Sequence, residues 1–145
     1  MKNIELTLSS PENENQIHIE QLSNILDGSC DTLELMAILD YYPNRNRQEI
    51  FNTAISKIKY GGTISLSGLD IIEVARQIYT GNIQEQEASN ILYKEGSNNR
   101  RCSSSSLMEV INILQASNFT ILVKDIDSNA YSVQARRNFP DTHSV

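Results

Sequence analysis

Few side chains in this 145-residue chain have the type and spacing that acid–base or nucleophilic chemistry requires. Of the two histidines, His18 is flanked by Ile17 and Ile19 and points out from a strand, and His143 lies in the C-terminal tail. Neither has an evident orienting partner of the kind a general base needs. Cys30 and Cys102 are too few for a disulfide framework, and no cysteine or histidine stands at metal-ligand spacing from either, so both read as reduced thiols and no metal is expected. Arg100 and Arg101, in a loop of serines and asparagines, either grip a phosphate or carboxylate through charge-assisted hydrogen bonds or stand as solvated charges. Asp40 and Tyr41 are the best-placed pair. They follow the apolar run "TLELMAIL" at its carboxyl end, the edge at which open α/β sheets bind ligands. Leu35, Met36 and Ala37 just before them have the composition of packed core rather than of a pocket.

The elements that hold these residues follow from periodicity. "IELTLS" alternates apolar and polar side chains and enters the polar "SPENENQ"; "IHIEQL" alternates again, with Ile17 and Ile19 inward. The run opened by Asp31 suits an interior parallel strand over residues 33 to 39, buried on both faces, at the centre of the sheet. Ile50, Phe51, Ala54, Ile55 and Ile58 then recur at helical spacing behind Pro43, with Asn44 or Asn46 as N-cap and Gly61 taking the positive φ that ends the helix. "TISLSG" is the next strand, so strand, helix and strand form a parallel crossover. Asp70 caps a helix over "IIEVARQIYTG", a short helix covers "NIQEQEASNILYKEG", and "SNNRRCSSSS" reads as an exposed, mobile loop. Leu107, Val110, Ile111 and Leu114 mark a last helix before two alternating runs joined by "DSNA", a hairpin. Residues 1–137 make one domain, and 138–145 a flexible tail.

Composition narrows the class. With 39% hydrophobic and 21% charged residues the chain reads as globular. A net charge of −6 disfavours nucleic acid, whose binders need basic surface. No stretch approaches the roughly 20 apolar residues of a membrane span, and the N-terminus lacks a leader's apolar run, which points to a cytoplasmic protein.

Taken in order, "CDTLELMAILDYYP", the amphipathic helix and "IKYGGTISLSGLD" resemble the second half of a class I S-adenosylmethionine-dependent methyltransferase. In that family an Asp opens the fourth strand, which closes on an apolar, Leu, acidic, aromatic sequence, and a helix leads to a Lys-x-Gly-Gly turn before the fifth strand. The matching positions are Asp31, then Ile38-Leu39-Asp40-Tyr41, then Lys59-Tyr60-Gly61-Gly62. The C-terminal helix, "SNF" turn and hairpin are similar to the family's closing strands, so the likeness runs over residues 17 to 137. The beginning departs from the pattern. "IELTLSSPENEN" stands where the family has a glycine-rich cofactor loop and contains no glycine, and about seven residues separate it from "IHIE", where a crossover helix needs roughly a dozen. A helix and a strand or two are missing.

The resemblance implies a three-layer Rossmann-like methyltransferase fold, truncated, with a mostly parallel sheet and a C-terminal antiparallel hairpin. It implies S-adenosylmethionine as the cofactor, with Ser9 and Ser10 in the place of the glycine loop and Asp40 and Tyr41 at the ligand edge. Glu20, at the end of "IHIE", stands where nucleotide-binding α/β folds accept hydrogen bonds from ribose hydroxyls, or is a solvated strand-end carboxylate. If active, the domain transfers a methyl group by in-line displacement at sulfur. The alternative is a catalytically silent relative that works as a binding or oligomerisation module, and a third reading is an unrelated small α/β fold. Loss of covering elements predicts a homo-oligomer, most simply a dimer, or a partner protein.

Overall fold

The computed structural model describes residues 1–93 and 100–140. Residues 94–99 and 141–145, part of the expected mobile loop and most of the expected tail, lie outside the described residues. Ten elements follow in order: β1 (Asn3–Thr7), β2 (Gln16–His18), β3 (Cys30–Met36), α1 (Asn44–Lys57), β4 (Ile58–Leu69), α2 (Ile71–Tyr79), α3 (Glu85–Tyr93), α4 (Leu107–Ala116), β5 (Phe119–Asp127) and β6 (Ala130–Arg137). The strands form one sheet in the order β2-β1-β3-β4-β6-β5. The first four are parallel, and β6 and β5 close the far edge as an antiparallel hairpin.

β3 is the interior parallel strand, between β1 and β4. It ends at Met36, earlier than the apolar run predicts, because Ala37 turns into the left-handed region (φ 59°) and Leu39–Tyr41 form a 3-10 turn. Burial on both faces does not hold: Leu33 and Leu35 are buried, whereas Glu34 and Met36 are exposed. The same division runs across the sheet. Paired residues share a face, and Ile4, Leu33, Ile64 and Ala135 align on one side while Glu5, Glu34, Ser65 and Gln134 align on the other. The apolar face packs against Phe51, Ala54 and Ile55 of α1 and Val110 and Leu114 of α4. The opposite face is polar and half-buried to exposed.

Helix α1 starts at Asn44 behind Pro43, which serves as N-cap without a side-chain bond, so neither Asn44 nor Asn46 takes that role. It ends at Lys57, and the glycine pair lies inside β4 rather than in a turn before it. The pairing with β3 steps from Cys30↔Ile58 to Thr32↔Thr63, and Gly61 takes a positive φ (85°) in this irregularity. Gly62 is where β4 presses on β3: a Cβ there would stand 2.9 Å from the carbonyl oxygens of both Cys30 and Asp31.

Asp70 caps two helices with one carboxylate. Its Oδ1 accepts from the Glu73 amide in α2 (2.9 Å), and its Oδ2 from the Leu107 amide at the start of α4 (2.8 Å). Backbone contacts join the same point: the Ile71 amide donates to the Ser105 carbonyl (2.8 Å), and Asp70 bridges Ser105. α2 and α3 therefore leave and return at one place, packing Val74 and Ala88 around Leu69. The end of the loop expected to be exposed is instead buried at Ser105 and Ser106. At the C-terminus, Asn138 donates to the Asn118 carbonyl and Phe139 stacks on Tyr60, so the chain is held past residue 137.

Candidate functional site

The chain runs outward from β1 to β2 and then returns to the other side of β1 as β3. The carboxyl ends of β1 and β3 are thus a topological switch point, where open α/β sheets leave a crevice. A cleft of about 420 Å³ lies there, lined by residues 5 to 9 and by Met36, Ala37, Ile38 and Tyr41. The strand ends at Met36, and Ala37, in the left-handed region, stands in the cleft wall.

One wall is the β1–β2 connection. Only residues 8–15 join two parallel strands, and the segment is held by its own polar groups instead of a helix. The Glu12 amide donates to Gln16 Oε1 (2.8 Å), the Gln16 amide to the Asn13 carbonyl (3.2 Å), and the Glu5 amide to the Asn15 carbonyl (2.9 Å). Thr7 Oγ1 donates to the Ser9 carbonyl (2.8 Å). His18 closes it, with Nε2 3.1 Å from the Leu8 carbonyl oxygen and Nδ1 accepting from the Glu20 amide at 3.1 Å.

Of the five residues that sequence singles out, Ser9 and Tyr41 line the cleft. Ser10 is exposed one residue beyond it. Glu20 does not end a strand: β2 stops at His18, and Glu20 is exposed in the 3-10 turn Ile19–Asn24. Its charge reaches the neighbourhood of Tyr41: burial first, then the Glu20 carboxylate, push the hydroxyl of half-buried Tyr42 up. Asp40 turns inward.

Asp40 is 1% exposed, and both carboxylate oxygens are occupied. Oδ1 accepts from Arg47 Nη1 (2.7 Å), and Oδ2 from the Leu69 amide at the end of β4 (2.9 Å). Its carbonyl accepts from the amides of Cys102 (2.7 Å) and Ser103 (3.1 Å). Arg101 Nε stands 3.7 Å from Oδ2, and Arg101 Nη1 donates to the Ile91 carbonyl. Arg47 continues the network to the Tyr131 hydroxyl on β6 (3.3 Å). Burial is the main cause that pushes Tyr131 up to about 12. Arg101, expected to grip an anion or stand in solvent, is thus tied to the protein itself. Arg47 escaped the sequence reading, although it carried a signal: it sits one turn before Phe51 on the buried stripe of α1.

Among the described residues no group of three or more His, Cys, Asp or Glu is placed to hold a metal ion, and no helix is long and apolar enough to cross a membrane.

No protein-family model and no curated protein matches the sequence. Solved structures do match in fold. An O-methyltransferase family protein of Burkholderia thailandensis superposes with a TM-score of 0.59 at 12% identity, over 87% of this chain and 36% of that one. Magnesium protoporphyrin IX methyltransferase of Synechocystis, with S-adenosylhomocysteine bound, gives 0.55 at 16% identity, over 85% and 50%. The complex of the Haloferax volcanii Trm112 methyltransferase activator with a methyltransferase gives 0.62 at 11% identity, over 99% and 75%. The chain thus spans about a third and a half of the first two. Its fold is the Rossmann-like methyltransferase fold in truncated form, a mostly parallel six-stranded sheet closed by an antiparallel hairpin.

Proposed function

We propose that the chain is an S-adenosylmethionine-dependent methyltransferase-like domain that binds a nucleoside of this class in the cleft between β1 and β3. The observation that carries this reading is the position of that cleft, at the switch point of a sheet whose fold neighbours include a methyltransferase with S-adenosylhomocysteine bound. The lining suits the ligand: Leu6, Ile38 and Met36 give apolar walls, Tyr41 an aromatic one, and Glu5 and Ser9 a carboxylate and a hydroxyl. Its volume falls within the roughly 300–1,000 Å³ of small-molecule sites. When bound, S-adenosylmethionine supplies an electrophilic methyl group, and what the protein adds is orientation, for which no base is required. Titration of the purified chain with S-adenosylhomocysteine by calorimetry tests the reading. Saturable binding that is lost on replacing Tyr41 by Ala supports it, and absence of heat at millimolar ligand overturns it.

A second reading, a non-catalytic binding or oligomerisation module, is favoured by the polar face of the sheet. Parallel strands are ordinarily covered on both sides. Among the described residues, the rows through Glu5 and Glu34 carry no helix of the kind that α1 and α4 place on the other face. We propose a second copy or a partner protein as the cover, and the Haloferax complex offers a precedent for a protein partner on this fold.

A further inference from the structure

We propose that His18 is a positioning residue for the cleft: it aims the Ser9 backbone N–H at the ligand. The inference rests on the nucleoside-binding reading, and its geometry is local. His18 Nδ1 accepts a hydrogen bond from the Glu20 amide, so Nδ1 carries no proton and Nε2 does, and Nε2 donates to the Leu8 carbonyl (3.1 Å). The carbonyl of Leu8 is thereby fixed toward β2, the strand to which His18 belongs.

No described peptide bond is cis. In a planar trans peptide the C=O and N–H point in opposite directions, so a Leu8 carbonyl held toward β2 turns the Ser9 N–H away from β2. On that side of β1 stand β3 and the cleft wall of Met36, Ala37 and Ile38. The Ser9 amide has no acceptor among the described residues. A donor fixed at the mouth of the cleft, with no protein acceptor, suits a carboxylate or another anionic oxygen of the ligand. Here a side chain fixes a peptide plane in a loop that contains no glycine.

The test uses the full chain, 15N-labelled, with S-adenosylhomocysteine as probe. His18→Ala is expected to weaken binding about tenfold, and His18→Gln, whose amide can donate to the Leu8 carbonyl, to restore it to within about threefold. In the free protein, His18→Ala is expected to shift the Ser9 and Glu20 amide resonances together, and His18→Gln to return the Ser9 resonance toward its wild-type position. His18→Ala binding as tightly as wild type, or His18→Gln binding as weakly as His18→Ala, overturns the proposal. If no variant and no wild-type sample binds the probe, the nucleoside reading falls, and the clamp is decided by the resonances alone: a Ser9 amide that resonates alike in wild type and His18→Ala overturns it.

Discussion

At the scale of single residues, the molecule separates polar groups that serve the cleft from those that hold the chain together. Asp40 and Tyr41 are neighbours in sequence, yet one faces the core and the other the cleft. Replacing Asp40 by Ala would leave Arg47, itself 7% exposed, as an uncompensated buried charge, a change that typically costs about 3–5 kcal/mol. Urea denaturation should register that loss, whereas Tyr41→Ala should affect ligand affinity more than stability. Tyr131 adds a pH dependence at the alkaline end. Its neutral form is favoured in the folded state, with the pKa pushed up to about 12 from the ordinary value of 10.0. A raised pKa contributes stability that is fully present below about pH 10 and is lost as pH rises toward about 12. Tyr131→Phe should flatten that alkaline decline in a denaturation series; an unchanged slope would assign the decline to other groups.

Among the elements, β4 shows what a linear pattern conveys and what it hides. The glycine pair was legible as a place where the backbone needs freedom, and Gly61 does take a positive φ. Its location inside a strand was not legible, because the irregular pairing between Cys30 and Thr32 depends on a partner distant in sequence. Gly62→Ala should destabilise the fold by about 1–3 kcal/mol, since the methyl would meet two carbonyl oxygens of β3 that cannot move independently of the sheet. A melting temperature equal to wild type would show that the strands can separate slightly at no cost. The end of β3 was misplaced for a related reason: "LMAIL" stays apolar through the left-handed Ala37 and the 3-10 turn, and hydrophobicity alone does not mark a change of backbone direction. The two closing strands and α4 were readable because their periods are regular and bounded by turn residues. The cleft was readable at Ser9 and Tyr41, but Met36 and Ala37 looked like core because their exposure could not be inferred from their own chemistry.

Over the whole molecule, the face of the sheet opposite α1 and α4 is polar rather than apolar. Bare apolar surface would favour association through the hydrophobic effect, at about 25 cal/mol per Å². The face through Glu5, Glu34, Ser65 and Gln134 offers little of it, so the dimer we propose would be held by polar contacts and would weaken with salt. Sedimentation at micromolar concentration should show a dimer at low ionic strength that dissociates as salt is raised. A monomer at both would leave the polar face as simple solvent-facing surface.

Asp70 has a further consequence for how such a chain can vary. Because α2 departs and α4 begins at the same carboxylate, residues 71–106 form a closed excursion whose ends are pinned together whatever lies between them. The entropy of closing such a loop grows only logarithmically with its length. Length and composition between those ends can therefore drift with little effect on the sheet, apart from Val74 and Ala88, which pack around Leu69, and the stretch at Arg101 to Ser103 that fastens to Asp40. The excursion is a cassette whose two ends meet at Asp70, and it departs from the carboxyl end of β4, at the rim where ligands enter sheets of this kind. New specificity could thus be acquired by exchanging the cassette, while the parallel strands that frame the cleft stay as they are.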